Sequence, residues 1–221
     1  MIEIDDAGSG SLLGGTGIGI YNQKTQEYFF DLIPLHYFQH PSFSEKNYQD
    51  YVIYIIEKAF QQLDFSKKET IYICQGYIFD NLRKWLYQKG YHCESRKING
   101  PLQAKVETSF NHYVINLGLP KNFITHARYA FGFHRLFKWV MADFHYRSSL
   151  CKTGWKSWRK WSGVATKSYH GIACKNEYCL KCGQLIYKNR PVNIIEYTTN
   201  KLWRLVLHPK CASTSTSLKS G

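Results

Sequence analysis

The sequence predicts an α/β chain: a mixed five-stranded sheet with flanking helices, followed by a small cysteine-clustered module. Three observations predict it. Three strand-like segments separated by turn signals form a meander over residues 2–35, apolar residues recur at helical spacing behind position 45, and four of the seven cysteines crowd into residues 174–211. A meander of strands followed by helix–strand crossovers gives a sheet with both antiparallel and parallel pairs.

Taken in order, Ile2-Glu3-Ile4 opens a first strand that runs into Asp5-Asp6 and a glycine-rich bend at Gly8-Ser9-Gly10. Residues 16–22 and 27–35 read as second and third strands joined by a turn at 22–26. Ser42 with Glu45 has the spacing of a capping box. Behind it Val52, Ile55, Ile56, Ala59, Phe60 and Leu63 mark an amphipathic helix over 45–63. Residues 70–74 read as a compact buried strand, 79–88 as a helix stopped by Gly90, and 91–97 as a fifth, more polar strand. After Gly100-Pro101, helical patterns run over 102–118 and 124–150, split by Pro120. The expected division is a sheet domain over 1–150, a basic Trp-rich connector over 151–169, a metal-binding module over 170–212 and a disordered Ser/Thr tail over 213–221.

Charge separates the two halves. Residues 1–100 hold 10 Lys/Arg against 12 Asp/Glu, whereas residues 101–221 hold 19 against 4, within a formal net charge of +13. A polyanion is the partner such asymmetry suggests, nucleic acid above all, with a basic face kept for solubility as the plainer reading. No basic amphipathic helix and no run of about 18 apolar residues points to a membrane. Met1-Ile2-Glu3-Ile4 lacks the charged and apolar regions of a secretion signal, and the odd cysteine count fits reduced thiols. A cytoplasmic or nuclear protein, not a secreted one, is expected.

Two adjacent carboxylates at the end of a strand, followed at once by glycines, can hold a hard divalent cation and admit a phosphate close to the backbone. The plainer reading is a turn after an edge strand. The stretch Ile4-Asp5-Asp6-Ala7-Gly8-Ser9-Gly10 resembles the opening motif of the type 2 ribonucleases H, Asp-Glu-Ala-Gly-Arg-Gly, and the element order matches the ribonuclease H-like fold. The resemblance covers about residues 1–110. It implies that Asp5 and Asp6 ligate magnesium or manganese and that Gly8, Ser9 and Gly10 touch the strand beside the scissile phosphate. Serine at position 9 would remove a phosphate contact that the family's arginine makes. Leu102-Gln103-Ala104-Lys105-Val106-Glu107 is similar to the family's Ala-Lys-Val stretch, which makes Glu107 a candidate acid. Where the family carries Asp-Gly after its fourth strand, this chain has Cys74-Gln75-Gly76, so a neutral Gln75 is expected at a carboxylate position. Asp143 is a further candidate catalytic acid, or else a partner of Arg147 one turn on. His126, His134 and His145 could contact phosphate or remain structural.

Trp155, Trp158 and Trp161 recur every third residue, with Lys156, Arg159 and Lys160 between them. Rings that stack on bases and cations that neutralise phosphates would make residues 155–160 a nucleic-acid surface. The same spacing suits a short helix whose tryptophans pack inward.

Cys179-x-x-Cys182-Gly183 and His208-x-x-Cys211 supply four ligands of the kind zinc takes in a tetrahedron, and Ile194–Thr198 with Leu202–Leu207 read as a hairpin between them. The pattern is similar to Cys-x-x-Cys…His-x-x-Cys fingers, including the poly(ADP-ribose) polymerase type. Four protein ligands make a closed, structural site; His170 and Cys174 are alternates. The sequence therefore predicts a metal-dependent endonuclease acting on RNA, DNA or a hybrid, with RNA or the RNA–DNA hybrid favoured. The alternative is a non-catalytic nucleic-acid-binding protein on the same fold.

Overall fold

A computed structural model of the chain describes residues 1–63, 66–121, 123–124 and 132–212. They form two compact units, Met1–Phe131 with Leu150–Trp155, and Gly132–Ser149 with Lys156–Gly221. The expected tail 213–221 and His126 lie outside the described residues.

The first unit is built on β1 (Ile2–Ala7), β2 (Thr16–Asn22), β3 (Tyr28–Ile33), β4 (Ile71–Ile73) and β5 (Cys93–Ser95). Their order across the sheet is β3-β2-β1-β4-β5, with β1–β2 and β2–β3 antiparallel and β1–β4 and β4–β5 parallel. This is the mixed five-stranded sheet with flanking helices that the residue pattern predicts. Helices α1 (Asn47–Gln62) and α2 (Asp80–Gln88) cover one face, where Ile2, Ile4, Ile18, Ile20, Ile71 and Ile73 meet Val52, Ile55, Ile56, Leu82 and Leu86 in one buried core. Burying an aliphatic side chain of this size contributes about 1.5–3 kcal/mol, so this layer fixes the register of β1 and hence the position of the residues that follow Ile4.

Helix α3 (Pro101–Asn116) crosses the other face, against β1 and β2. Glycines allow the close approach. A Cβ on Gly19 would lie 3.0 Å from Val106, and one on Gly8, which has φ +85°, would lie 2.1 Å from the Phe110 ring. Only glycine takes that backbone without strain.

Local details differ from expectation. The capping box does not form: α1 starts at Asn47 behind Lys46 at φ 60°, with no side-chain cap, and Glu45 instead accepts a hydrogen bond from the Asn47 side-chain Nδ2 at 2.8 Å. The helix expected over 124–150 is interrupted, giving α4 (Phe133–Met141) and α5 (Phe144–Arg147) separated by Asp143 at φ −155°, ψ 61°. The boundary drawn at 150 differs too. Residues 150–155 return to the first unit through a bridge between Leu13 and Cys151 and bonds from Lys152 N to Leu12 O (2.9 Å) and Gly154 N to Phe38 O (3.0 Å).

In the second unit α4 and α5 are joined by α6 (Lys156–Trp161), a three-stranded sheet and a two-stranded hairpin. The sheet has the order β10-β9-β6, from β6 (Thr166–Ile172), β9 (Pro191–Thr198) and β10 (Leu202–Leu207); β9 and β10 are the hairpin expected around Asn200. Strands β7 (Glu177–Tyr178) and β8 (Leu185–Ile186) flank the first cysteine pair, and α7 (Pro209–Ala212) carries the last. Phe137 meets Trp158 and Tyr197 edge-on at 6.1 and 5.8 Å at the centre of this unit.

Candidate metal sites

At the end of β1, Asp5, Asp6 and Cys74 bring one ligand atom each within 4.8 Å of one another, a group that could hold a metal ion. Cys74 follows β4, whose parallel pairing with β1 ends at Ile4 opposite Ile73. That register sets the first residue beyond β4 beside Asp5. The expectation that Gln75 stands at the carboxylate position is thereby corrected: Gln75 is exposed, and the thiol of Cys74 faces the aspartates. Arg83 fixes this strand end by donating to the carbonyls of Cys74 (2.5 Å) and Gly76 (3.2 Å), while pairing with Asp80 at 2.9 Å.

The carboxylates are under electrostatic pressure. Asp5 is 6% exposed and its pKa is pushed up to about 6. Burial is the main cause; Asp6 and Glu107 add repulsion, opposed by hydrogen bonds from the Cys74 thiol and the Asp6 amide, the latter at 2.9 Å. Glu107, the α3 acid, thus lies within electrostatic reach of Asp5. Burial also raises the pKa of Asp6, against the Ser9 hydroxyl, the Lys152 ammonium and the Ser9 amide. Cys74 is pushed to about 11 by burial and by the neighbouring aspartates, against a bond from the Gly76 amide. A cation would relieve all three groups at once.

Lys152 bonds to the segments on either side of this end of the sheet. It is fully buried, and its Nζ donates to Gly8 O at 2.5 Å and Thr16 Oγ1 at 3.0 Å. Burial lowers its pKa to about 7, with Asp6 pulling the other way. Nothing in the sequence around Cys151-Lys152-Thr153 distinguishes this lysine from its exposed neighbours, so sequence reasoning missed it. Ser9 is committed to Asp6, whereas Gly10 has open space where a Cβ would be.

The second group is Cys179, Cys182, His208 and Cys211, whose ligand atoms also lie within 4.8 Å of one another. It could bind a metal such as zinc. Gly183, at φ 74°, turns the chain so that its amide donates to Cys179 O at 2.8 Å. Burial alone would raise the Cys179 thiol, yet the backbone amides of Cys182, His208 and Lys181 aimed at the sulfur bring it down to about 7. Burial and the crowding of Cys182 and Cys179 push Cys211 to about 12. His208 turns Nδ1 toward Cys182 Sγ at 3.4 Å and Nε2 toward Leu185 O at 3.3 Å. That is the orientation of a ligating imidazole whose other nitrogen is held by a carbonyl. Cys174 and His170 are not in the group.

Arg147 supports this knuckle from within the second unit. Its guanidinium is buried over the Trp139 ring (3.8 Å) and donates to Trp139 O (2.7 Å), Leu180 O (2.8 Å) and Lys181 O (2.9 Å). Burial lowers its pKa to about 10. Asp143 belongs to the same unit and pairs with Lys181 at 3.5 Å, so it braces the cysteine loop and is not among the Asp5 cluster.

The tryptophan stretch divides. Trp155 is half-buried in the first unit, 5.4 Å from the Lys152 ammonium. Trp158 is 8% exposed, stacked on Phe144 at 6.0 Å, so its ring packs inward and is not offered to a base. Lys156, Arg159 and Lys160 are exposed on α6.

Fold and sites together define a mixed α/β chain with a Cys3His group able to hold a metal. Comparison with known protein families and with curated proteins gave no match. No helix among the described residues is long and apolar enough to cross a membrane.

Proposed function

We propose that the chain binds nucleic acid and hydrolyses phosphodiesters with the help of a divalent cation, on a ribonuclease H-like sheet, RNA or an RNA–DNA hybrid being the favoured substrate. The observation that carries this reading is Asp5: a buried carboxylate at a strand end, lifted to about 6 among Asp6, Glu107 and Cys74. A buried carboxylate whose pKa is raised by burial and by neighbouring like charges is a candidate functional group. The strand order β3-β2-β1-β4-β5 supports the resemblance to the type 2 ribonucleases H.

Asp5 and Asp6 offer the oxygen donors that magnesium or manganese takes, and Glu107 stands in electrostatic reach. When bound, such a cation would neutralise the scissile phosphate and lower the pKa of an attacking water. The chain's own residues do the rest. Glu107 adds negative charge beside Asp5 and so favours a cation there. Lys152 holds the carbonyl of Gly8 and so fixes the turn along which a phosphate backbone would run. Lys156, Arg159 and Lys160 attract phosphates, and the zinc-type module folds a segment too small for a large core of its own. Reduced thiols at Cys179, Cys182 and Cys211 suit a cytoplasmic or nuclear setting.

A second reading, a non-catalytic nucleic-acid-binding platform, is favoured by Cys74, because a thiol stands where a hard cation would want another oxygen. Cleavage of labelled single-stranded RNA, duplex DNA and RNA–DNA hybrid, with magnesium or manganese, separates the two. The nuclease reading expects cleavage that Asp5→Asn abolishes; nucleic-acid binding with no cleavage of any substrate assigns the platform.

A further inference from the structure

The second unit carries an aromatic ladder outside both metal groups. His134 of α4 lies between Trp161, at the end of α6, and Trp203 of β10. Its ring centroid is 5.7 Å from Trp161 at 63° and 5.8 Å from Trp203 at 21°. A lysine ammonium stands over each tryptophan, Lys160 at 4.6 Å from Trp161 and Lys201 at 4.5 Å from Trp203. Two hydrogen-bonding pairs hold the rings: Thr199 Oγ1 lies 3.1 Å from His134 Nδ1, and Trp203 Nε1 donates to Asn200 Oδ1 at 3.1 Å.

Core packing does not account for this arrangement. Both tryptophans remain half-buried and both lysines exposed, although the same short helix turns Trp158 fully inward. Burial and the nearby Lys201 lower the pKa of His134, which keeps its imidazole a neutral ring at physiological pH. The row Lys160–Trp161–His134–Trp203–Lys201 thus sets three rings between two cations, in the half of the sequence that holds 19 Lys/Arg against 4 Asp/Glu.

We propose that this ladder is a stacking platform for unpaired bases of a single-stranded nucleic acid, in which Lys160 and Lys201 leave the tryptophan faces for the flanking phosphates. The inference rests on the nucleic-acid reading above and names the form of its ligand. Every base has a π face, so stacking tolerates any sequence, whereas a duplex keeps its bases stacked on one another and offers phosphates and base edges but no free π face. A cation on a ring at an exposed site is held weakly enough for a phosphate contact to replace it.

The test is a fluorescence titration of the full, zinc-loaded chain with three probes of similar length: labelled oligo(U), labelled duplex DNA, and heparin, a polyanion without bases. Trp161→Leu and Trp203→Leu are each expected to weaken oligo(U) binding by about 5- to 150-fold and to leave heparin unchanged. Trp203→Phe is expected to restore most of the loss. Lys201→Gln should reduce the salt slope for oligo(U) by about 0.7. Unchanged oligo(U) affinity in both leucine variants, equal losses for heparin and oligo(U), or tighter binding of the duplex would each overturn the proposal. Cleavage of the same oligo(U) with magnesium or manganese, by wild type and Asp5→Asn in parallel, separates the two ideas. If the chain binds oligo(U) through the ladder and cleaves nothing, only the nuclease reading falls; if it binds no nucleic acid at all, both fall.

Discussion

Replacing Asp5 by Asn should make the first unit more stable, and the gain should depend on pH in a defined window. In the folded chain the Asp5 pKa stands near 6 instead of 3.8. Because the folded pKa lies above the unfolded one, the folded state binds more protons between those values. Stability is therefore undiminished below about 3.8, falls as pH rises to about 6, and carries the full penalty above it. A shift of about two units corresponds to about 3 kcal/mol at most. Asn keeps the shape and can still accept the Asp6 amide and Cys74 thiol bonds, so a gain of about 1–3 kcal/mol at pH 7 is expected. Urea unfolding read by amide exchange in β1 and β4 isolates the first unit. The variant and wild type should match near pH 4 and separate by pH 6.5, with no further divergence above it. A variant that is less stable at pH 7, or a difference that is the same at pH 4 and pH 7, would refute the claim that Asp5 is held ionised against its surroundings.

Three further outcomes follow from named contacts. The folded pKa of Lys152 is depressed to about 7, so the unfolded chain binds the extra proton from there to about 10.4, and first-unit stability should climb above pH 7 by up to about 1.4 kcal/mol per pH unit; Lys152→Met should flatten the climb in the same exchange experiment. Arg147→Met leaves the carbonyls of Trp139, Leu180 and Lys181 without this donor, at a cost of about 1–3 kcal/mol for each one that water cannot reach; it should lose zinc to a chelator faster than wild type, measured by release to a colorimetric indicator. Cys182→Ser should reduce zinc content from one ion per chain and lose the amide protection of β7 and β8, whereas Cys174→Ser should change neither.

The fold was legible where burial follows a period. Ile2, Ile4, Ile18 and Ile20 alternate because one face of the sheet is a core, and Val52, Ile55, Ile56 and Ala59 recur because one stripe of α1 closes that core. The Cys3His group was legible because tight ligand spacing is a local property of the chain. What depended on register was not. That Cys74 faces Asp5 follows from β4 pairing with β1 one residue short of it, and no local pattern records that alignment. The same limit hid Lys152, Trp203 and the return of residues 150–155 to the first unit. Each is placed by contacts with residues far away in sequence. Trp158 and Trp161 look alike in the repeat, but packing against Phe137 and Phe144 separates their roles.

The central claim is that Asp5 and Asp6 form a cation site, and titration of the full chain with manganese, followed by electron paramagnetic resonance, tests it most directly. Wild type should bind manganese at a site that Asp5→Asn removes while zinc content stays unchanged. Equal manganese binding by wild type and Asp5→Asn, or none by either, would contradict it.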